Sequence, residues 1–244
     1  MNSNSFATMS SRPNPDQAGS ALTPTGHLRS YDLLAFDWDG TLFDSTAIIT
    51  RCIQEAVRDV GGTVPSDAAA CHVIGLGLMQ ALAIAAPDVP KERYPELGAR
   101  YRHHYLGHQD DISLFDGVLP MLRELKARQY WLAVATGKSR KGLDVALQAV
   151  ALQGLFDASR TADETAGKPH PRMLNELMAE LGVAPSRVLM IGDTTHDLQM
   201  ARNAGCDSVA VGYGAHDALD FASHAPLFVA QSVAGLHSWL LGNA

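Results

Sequence analysis

A chain of 244 residues, 46% of them apolar, is long enough for one large domain or two small ones around a substantial core. Its formal charge of −7 argues against a nucleic-acid surface, and no apolar run approaches the ~18 residues that span a bilayer. The three cysteines, Cys52, Cys71 and Cys206, are scattered without metal-type spacing and read as thiols of a reducing, cytoplasmic compartment.

Residues 1–30 are rich in Ser, Asn and Pro and hold no apolar core of signal-peptide type. A disordered or loosely attached leader is expected there, with Met9 offering an alternative start. The run YDLLAFD (31–37) then passes from apolar to charged, as a buried parallel strand does. It sets three aspartates, Asp37, Asp39 and Asp44, close together behind the strand, a crowding that asks for a cation or a reaction.

From Ser45 to about Phe115 no strand is expected. Ile49, Cys52, Ile53, Ala56, Val57 and Val60 recur at helical spacing before a Gly-Gly stop. GLMQALAIAAP (77–87) reads as a short helix ended by Pro87, and Tyr94, Leu97, Tyr101 and Tyr105 align on a further one. Beyond this helical module, strand-like runs return at WLAVATG (131–137), VLMIGD (188–193) and SVAVGYG (208–214). Helical patterns lie between them: Val118, Leu122 and Leu125 on one, and a stripe from Met173 to Leu181 on another, with Pro171 at its start and Gly182 at its end. Alternating strands and helices predict an α/β fold, a mostly parallel sheet covered on both faces, with ligands bound at the carboxyl ends of the strands.

Those ends carry the chemistry. The first supplies Asp37 and Asp39, another Thr136-Gly137, another Asp193 and Asp197; Lys168 stands just before the helix that begins near Pro171. Carboxylates, one lysine and one hydroxyl gathered at a sheet edge make a poor core but suit Mg²⁺ and a phosphoryl group, through hard oxygen ligands for the ion and positive charge for phosphate oxygens. Lys168 is one of only five lysines, so its place beside a motif is pointed. His103, His104 and His108 read as a solvated helix face rather than a metal site, and Asp44 as a hinge or as the cap of the following helix.

Asp-Trp-Asp-Gly-Thr (37–41), Thr136-Gly137, Lys168-Pro169 and Gly-Asp with a second aspartate four residues on (192–197) stand in the order and rough spacing of the four motifs of the haloacid dehalogenase superfamily. The resemblance covers about residues 31–240. It implies a three-layer Rossmann-like core formed by residues 31–44 and 116–244, with an inserted helical cap over 45–115. It implies Asp37 as nucleophile and Asp39 as acid and then base. Gly40, Thr136, Gly137 and Lys168 would hold the phosphoryl group, with Thr41 steadying the loop, and a magnesium ion would lie among Asp37, the Asp39 carbonyl, Asp193 and Asp197, the last through water. The cap stretch 72–82, with Gly75 and Leu76, is the expected specificity loop and carries neither Lys nor Arg.

Within the resemblance, Asp39 disfavours dehalogenation, which needs no acid. The cap's only lysine, Lys91, falls in a loop rather than where a Schiff base would form. Ile49 stands where β-phosphoglucomutases carry histidine. A phosphomonoester hydrolase remains, acting on a small phosphorylated metabolite, with phosphoglycolate as the leading substrate. The alternatives are a sugar-phosphate or nucleotide phosphatase, a phosphomutase, or a non-catalytic relic that binds a phospho-ligand. A monomer or homodimer that engages neither nucleic acid nor membrane is expected, with a cap hinged near Asp44-Ser45 and 115–117.

Overall fold

A computed structural model describes residues 30–108, 111–149 and 152–244; the expected leader, apart from Ser30, lies outside the described residues. Its centre is a six-stranded sheet formed by β1 (Leu33–Phe36), β4 (Trp131–Thr136), β5 (Ala158–Thr161), β6 (Val188–Gly192), β7 (Asp207–Val211) and β8 (Val229–Ala230). The spatial order is β5-β4-β1-β6-β7-β8, and every pairing is parallel.

Strand periodicity explains both faces. On β1, Leu34 and Phe36 join one cluster while Leu33 and Ala35 join another; Leu132 and Val134 against Ala133 and Ala135 repeat the split on β4. The first cluster receives α5 (Val118–Ala127), α6 (Arg140–Ala149) and α9 (Val233–Asn243). The second receives α7 (Arg172–Leu181) and α8 (Thr195–Ala204). Each fully buried Leu or Met contributes about 1.5–3 kcal/mol, so the two layers clamp the central strands. The sequence signals hold at α7, which begins after Pro171 and ends at Gly182 with φ +67°.

Between β1 and α5 the chain leaves the sheet. A two-residue antiparallel ribbon, β2 (Phe43–Asp44) with β3 (Ser113–Leu114), marks where it departs and returns. The excursion contains α1 (Thr46–Asp59), α2 (Asp67–His72), α3 (Leu78–Ala85) and α4 (Tyr94–Gly107). These helices share a separate apolar cluster built on Ile53, Val57, Leu82 and Leu97, all at most 2% exposed.

Some expectations are corrected. The pattern of residues 45–115 holds a strand after all, the short β3, and the sheet gains β5 and β8, which no apolar run announced. The strands run shorter than their apolar stretches, 33–36 rather than 31–37 and 207–211 rather than 208–214. Asp44 does not cap α1: it is exposed in β2, and Ser45 occupies the N-cap position.

Candidate active site

The central strands end side by side, and their exits form the site. Phe36 is in register with Val134 on one side and Ile191 on the other, so Asp37, Thr136 and Asp193 leave the sheet at nearly one level. Asp37, Thr136, Lys168, Asp193 and Asp197 are all 0–1% exposed. Burying ionised groups costs several kcal/mol each unless they are paired, so each one's partners matter.

Lys168 Nζ lies 2.7 Å from Asp37 Oδ1 and 2.7 Å from Asp197 Oδ1. Burial alone would pull its ammonium down, but Asp197 and Asp37 outweigh burial and hold it above its ordinary value. Asp193 Oδ1 accepts from the Thr41 hydroxyl and its Oδ2 from the Ala215 amide, each at 2.8 Å. Asp197 Oδ2 accepts from the Thr194 amide at 3.2 Å and the Thr194 hydroxyl at 2.7 Å, closing the capping box that starts α8. Of the oxygens on these three acids, Asp37 Oδ2 is the one buried with no protein partner among the described residues.

Asp37, Asp193 and Asp197 each offer an oxygen within 4.8 Å of the others. Burial and then the neighbouring carboxylates, against the pull of Lys168, push Asp37 well above the usual carboxylate range. Burial and Asp197 push Asp193 up to about 7. One lysine does not offset three buried carboxylates, and a hard divalent cation would. The all-oxygen donor set and the orphaned Asp37 Oδ2 fit such an ion. Asp197, whose oxygens take the Lys168 ammonium and two Thr194 donors where those of Asp193 take only two neutral donors, is the least free of the three to bind it directly.

Two glycines have steric reasons. Gly40 has φ +76°, and a Cβ there would fall 2.1 Å from Asp193 Oδ2. At Gly137 a Cβ would meet the Leu76 carbonyl at 2.5 Å and the Gly75 carbonyl at 2.6 Å. The loop with Gly75 and Leu76 therefore lies backbone-first on the Thr136-Gly137 strand end. A Cβ on Gly75 would stand 3.7 Å from Asp37 Oδ2, which places that loop directly above the carboxylate.

Asp39 is not in the carboxylate group. Its Oδ1 accepts from the Ser45 hydroxyl at 2.8 Å, and its Oδ2 pairs with Lys138 Nζ at 3.0 Å. Both of its side-chain oxygens are thus engaged outside the three-acid group. The same arrangement explains α1: Ser45, which could cap the helix with its hydroxyl, makes no cap bond and donates to Asp39 instead. Lys138 Nζ also donates to the Tyr105 hydroxyl at 2.8 Å and sits 4.8 Å from that ring's centroid.

Sequence reasoning missed Lys138 and gave Tyr105 only a packing role. The one local signal was a lysine two residues after Thr136 at a strand end. It missed also the convergence of three imidazoles where the helical layer meets the sheet: His196 Nε2 and His216 Nε2 lie 2.9 and 3.1 Å from the His72 carbonyl, and the His72 and His216 rings stack at 4.9 Å. Among the described residues His104 and His108 form no metal group; His104 braces α4 against α1 through Glu55 at 3.3 Å and Asp59 at 2.8 Å, and His108 lies 3.3 Å from Asp111.

The sequence model of the haloacid dehalogenase-like hydrolases matches residues 34–211. The chain is 37% identical over 190 residues to a probable phosphatase, IndB, of Dickeya dadantii, covering 75% of this chain and 82% of that one. It is 35% identical over 191 residues to the phosphoglycolate phosphatase of Aliivibrio fischeri, covering 75% and 84%. A crystal structure of a predicted phosphoglycolate phosphatase from Haemophilus somnus superposes with a TM-score of 0.76 at 26% identity, over 86% of this chain and 97% of the other.

Proposed function

Because the chain belongs to the haloacid dehalogenase-like hydrolases, we propose that it is a Mg²⁺-dependent phosphomonoester hydrolase working through an aspartyl-phosphate on Asp37. The observation that carries this reading is the Asp37 carboxylate: one oxygen held by Lys168, the other buried with no protein partner among the described residues, in a group that brings an oxygen each of Asp37, Asp193 and Asp197 within 4.8 Å of one another.

Asp37, Asp193 and the Asp39 carbonyl would hold the cation, with Asp197 orienting a ligand water. When bound, the cation supplies positive charge that draws electrons from phosphorus and relieves the crowded carboxylates. Thr136 and the amides beside Gly137 bind the transferring oxygens. Lys168 fixes Asp37 for in-line attack. The bond from phosphorus to the leaving oxygen breaks as the new bond to Asp37 forms, and Asp39 gives its proton to that oxygen. In the second half, Asp39 takes a proton from the water that attacks the phosphorylated Asp37, releasing phosphate and restoring the carboxylate.

Residues 31–44 and 116–244 act in this reading as the catalytic core and 45–115 as a cap. Because the site side chains are sealed, entry requires the cap to swing about 44–45 and 115–117. The names of the relatives favour phosphoglycolate as substrate. The three unbridged thiols fit a reducing, cytoplasmic setting. Phosphate release from p-nitrophenyl phosphate and a panel of small esters, with Mg²⁺ and with EDTA, tests the reading. Turnover that EDTA abolishes and Mg²⁺ restores is expected; turnover indifferent to EDTA would overturn it.

A further inference from the structure

Resting on the phosphatase reading, we infer that Lys138 and Tyr105 form the receptor for a carboxylate on the leaving group, so that the preferred substrates are phosphate esters of small hydroxy acids. The cation that such a substrate needs is missing from the specificity loop 72–82 but present on the sheet side, two residues after Thr136.

Lys138 Nζ touches two groups, Asp39 Oδ2 at 3.0 Å and the Tyr105 hydroxyl at 2.8 Å, and its side chain is 11% exposed. Tyr105 accepts that bond, so its own O–H has no protein acceptor among the described residues. One ammonium hydrogen and one hydroxyl hydrogen thus remain, a pair suited to the two oxygens of a carboxylate. They adjoin Asp39, the residue that must reach the leaving oxygen, so the carboxylate they bind lies within one or two carbons of the phosphate ester.

Tyr105 comes from α4 and Lys138 from the end of β4, so the receptor exists only when the helical layer lies on the sheet.

The test compares kcat/KM for 2-phosphoglycolate and ethyl phosphate with Mg²⁺ in the full chain, its K138M variant and its Y105F variant. The unmodified protein should favour the carboxylate ester by about 30-fold or more, as expected for a paired against an unpaired buried charge. Both esters should suffer in K138M, but the preference should collapse toward unity, chiefly through KM for 2-phosphoglycolate. Y105F should reduce the preference by a smaller factor. An unchanged preference in K138M, or no preference in the unmodified protein, overturns the inference. Should K138M fail to fold, inhibition of the unmodified protein decides: glycolate should compete with p-nitrophenyl phosphate and ethylene glycol should not, and equal behaviour of the two refutes the receptor. Failure to hydrolyse any ester would instead strike the phosphatase reading itself.

Discussion

The two halves of the site are built differently. The phosphate half, Asp37, Thr136, Lys168, Asp193 and Asp197, belongs to strand ends, the turns beside them and the first turn of α8, and its carboxylates and lysine are held by contacts of 2.7–3.2 Å. The leaving-group half is shared: Asp39 sits between Ser45 at the head of α1 and Lys138, which in turn reaches Tyr105 on α4. The difference teaches a division of labour. In the proposed mechanism, groups that would meet every phosphate ester stand on the buried central sheet, while groups that would meet the variable part of the substrate lie on the seam between sheet and helical layer.

The comparison can be broken at its rigid end first. Asp37→Asn keeps the volume and removes the nucleophile; kcat should fall by about 10⁴-fold or more with the circular dichroism spectrum intact. Substantial turnover in that variant would mean that the phosphate half has been misassigned. Lys168→Met leaves Asp37 and Asp197 buried without their cation. Loss of one partner of a buried pair costs about 3–5 kcal/mol, which in a protein of this size lowers Tm by roughly 6–20 °C. The melt is run in EDTA so that no metal substitutes for the lysine, and an unaltered Tm would contradict the charge balance described.

The join between the halves is the next target. Gly137→Ala drives a methyl into the Leu76 and Gly75 carbonyls. Overpacking of about 1–3 kcal/mol against the closed form should lower kcat/KM by roughly 5- to 150-fold and speed hydrogen exchange in 72–82. A variant as active as the parent would show that the loop need not lie on the strand end. Sharpening the contrast from outside the site, His104→Ala removes exposed pairs within the helical layer alone. It should leave turnover and melting temperature indistinguishable from the parent's, because solvent screens such pairs.

What the sequence reveals divides along the same line. Asp37, Asp39, Thr136, Lys168 and Asp193 follow or precede regular elements at short fixed spacings, so one dimension suffices to find them. β1, β4 and β6 are legible because central parallel strands are apolar on both faces; β5, reading ASRT and only half-buried at the edge, has no such run, and two-residue β2, β3 and β8 are too short for any period. Lys138 with Tyr105, 33 residues apart, and the imidazoles of His72, His196 and His216 meet only through tertiary packing. Asp44 and Ser45 are both good helix starters, and it took the pull of Asp39 on the Ser45 hydroxyl to show that neither side chain caps α1.

The account stands on a covalent phosphoenzyme. Borohydride added during turnover reduces an acyl phosphate to an alcohol, converting the aspartate that carries it to homoserine, which peptide mass spectrometry locates. The account predicts homoserine at position 37, only when substrate and Mg²⁺ are both present. Homoserine at another aspartate, or none during undiminished turnover, would contradict it.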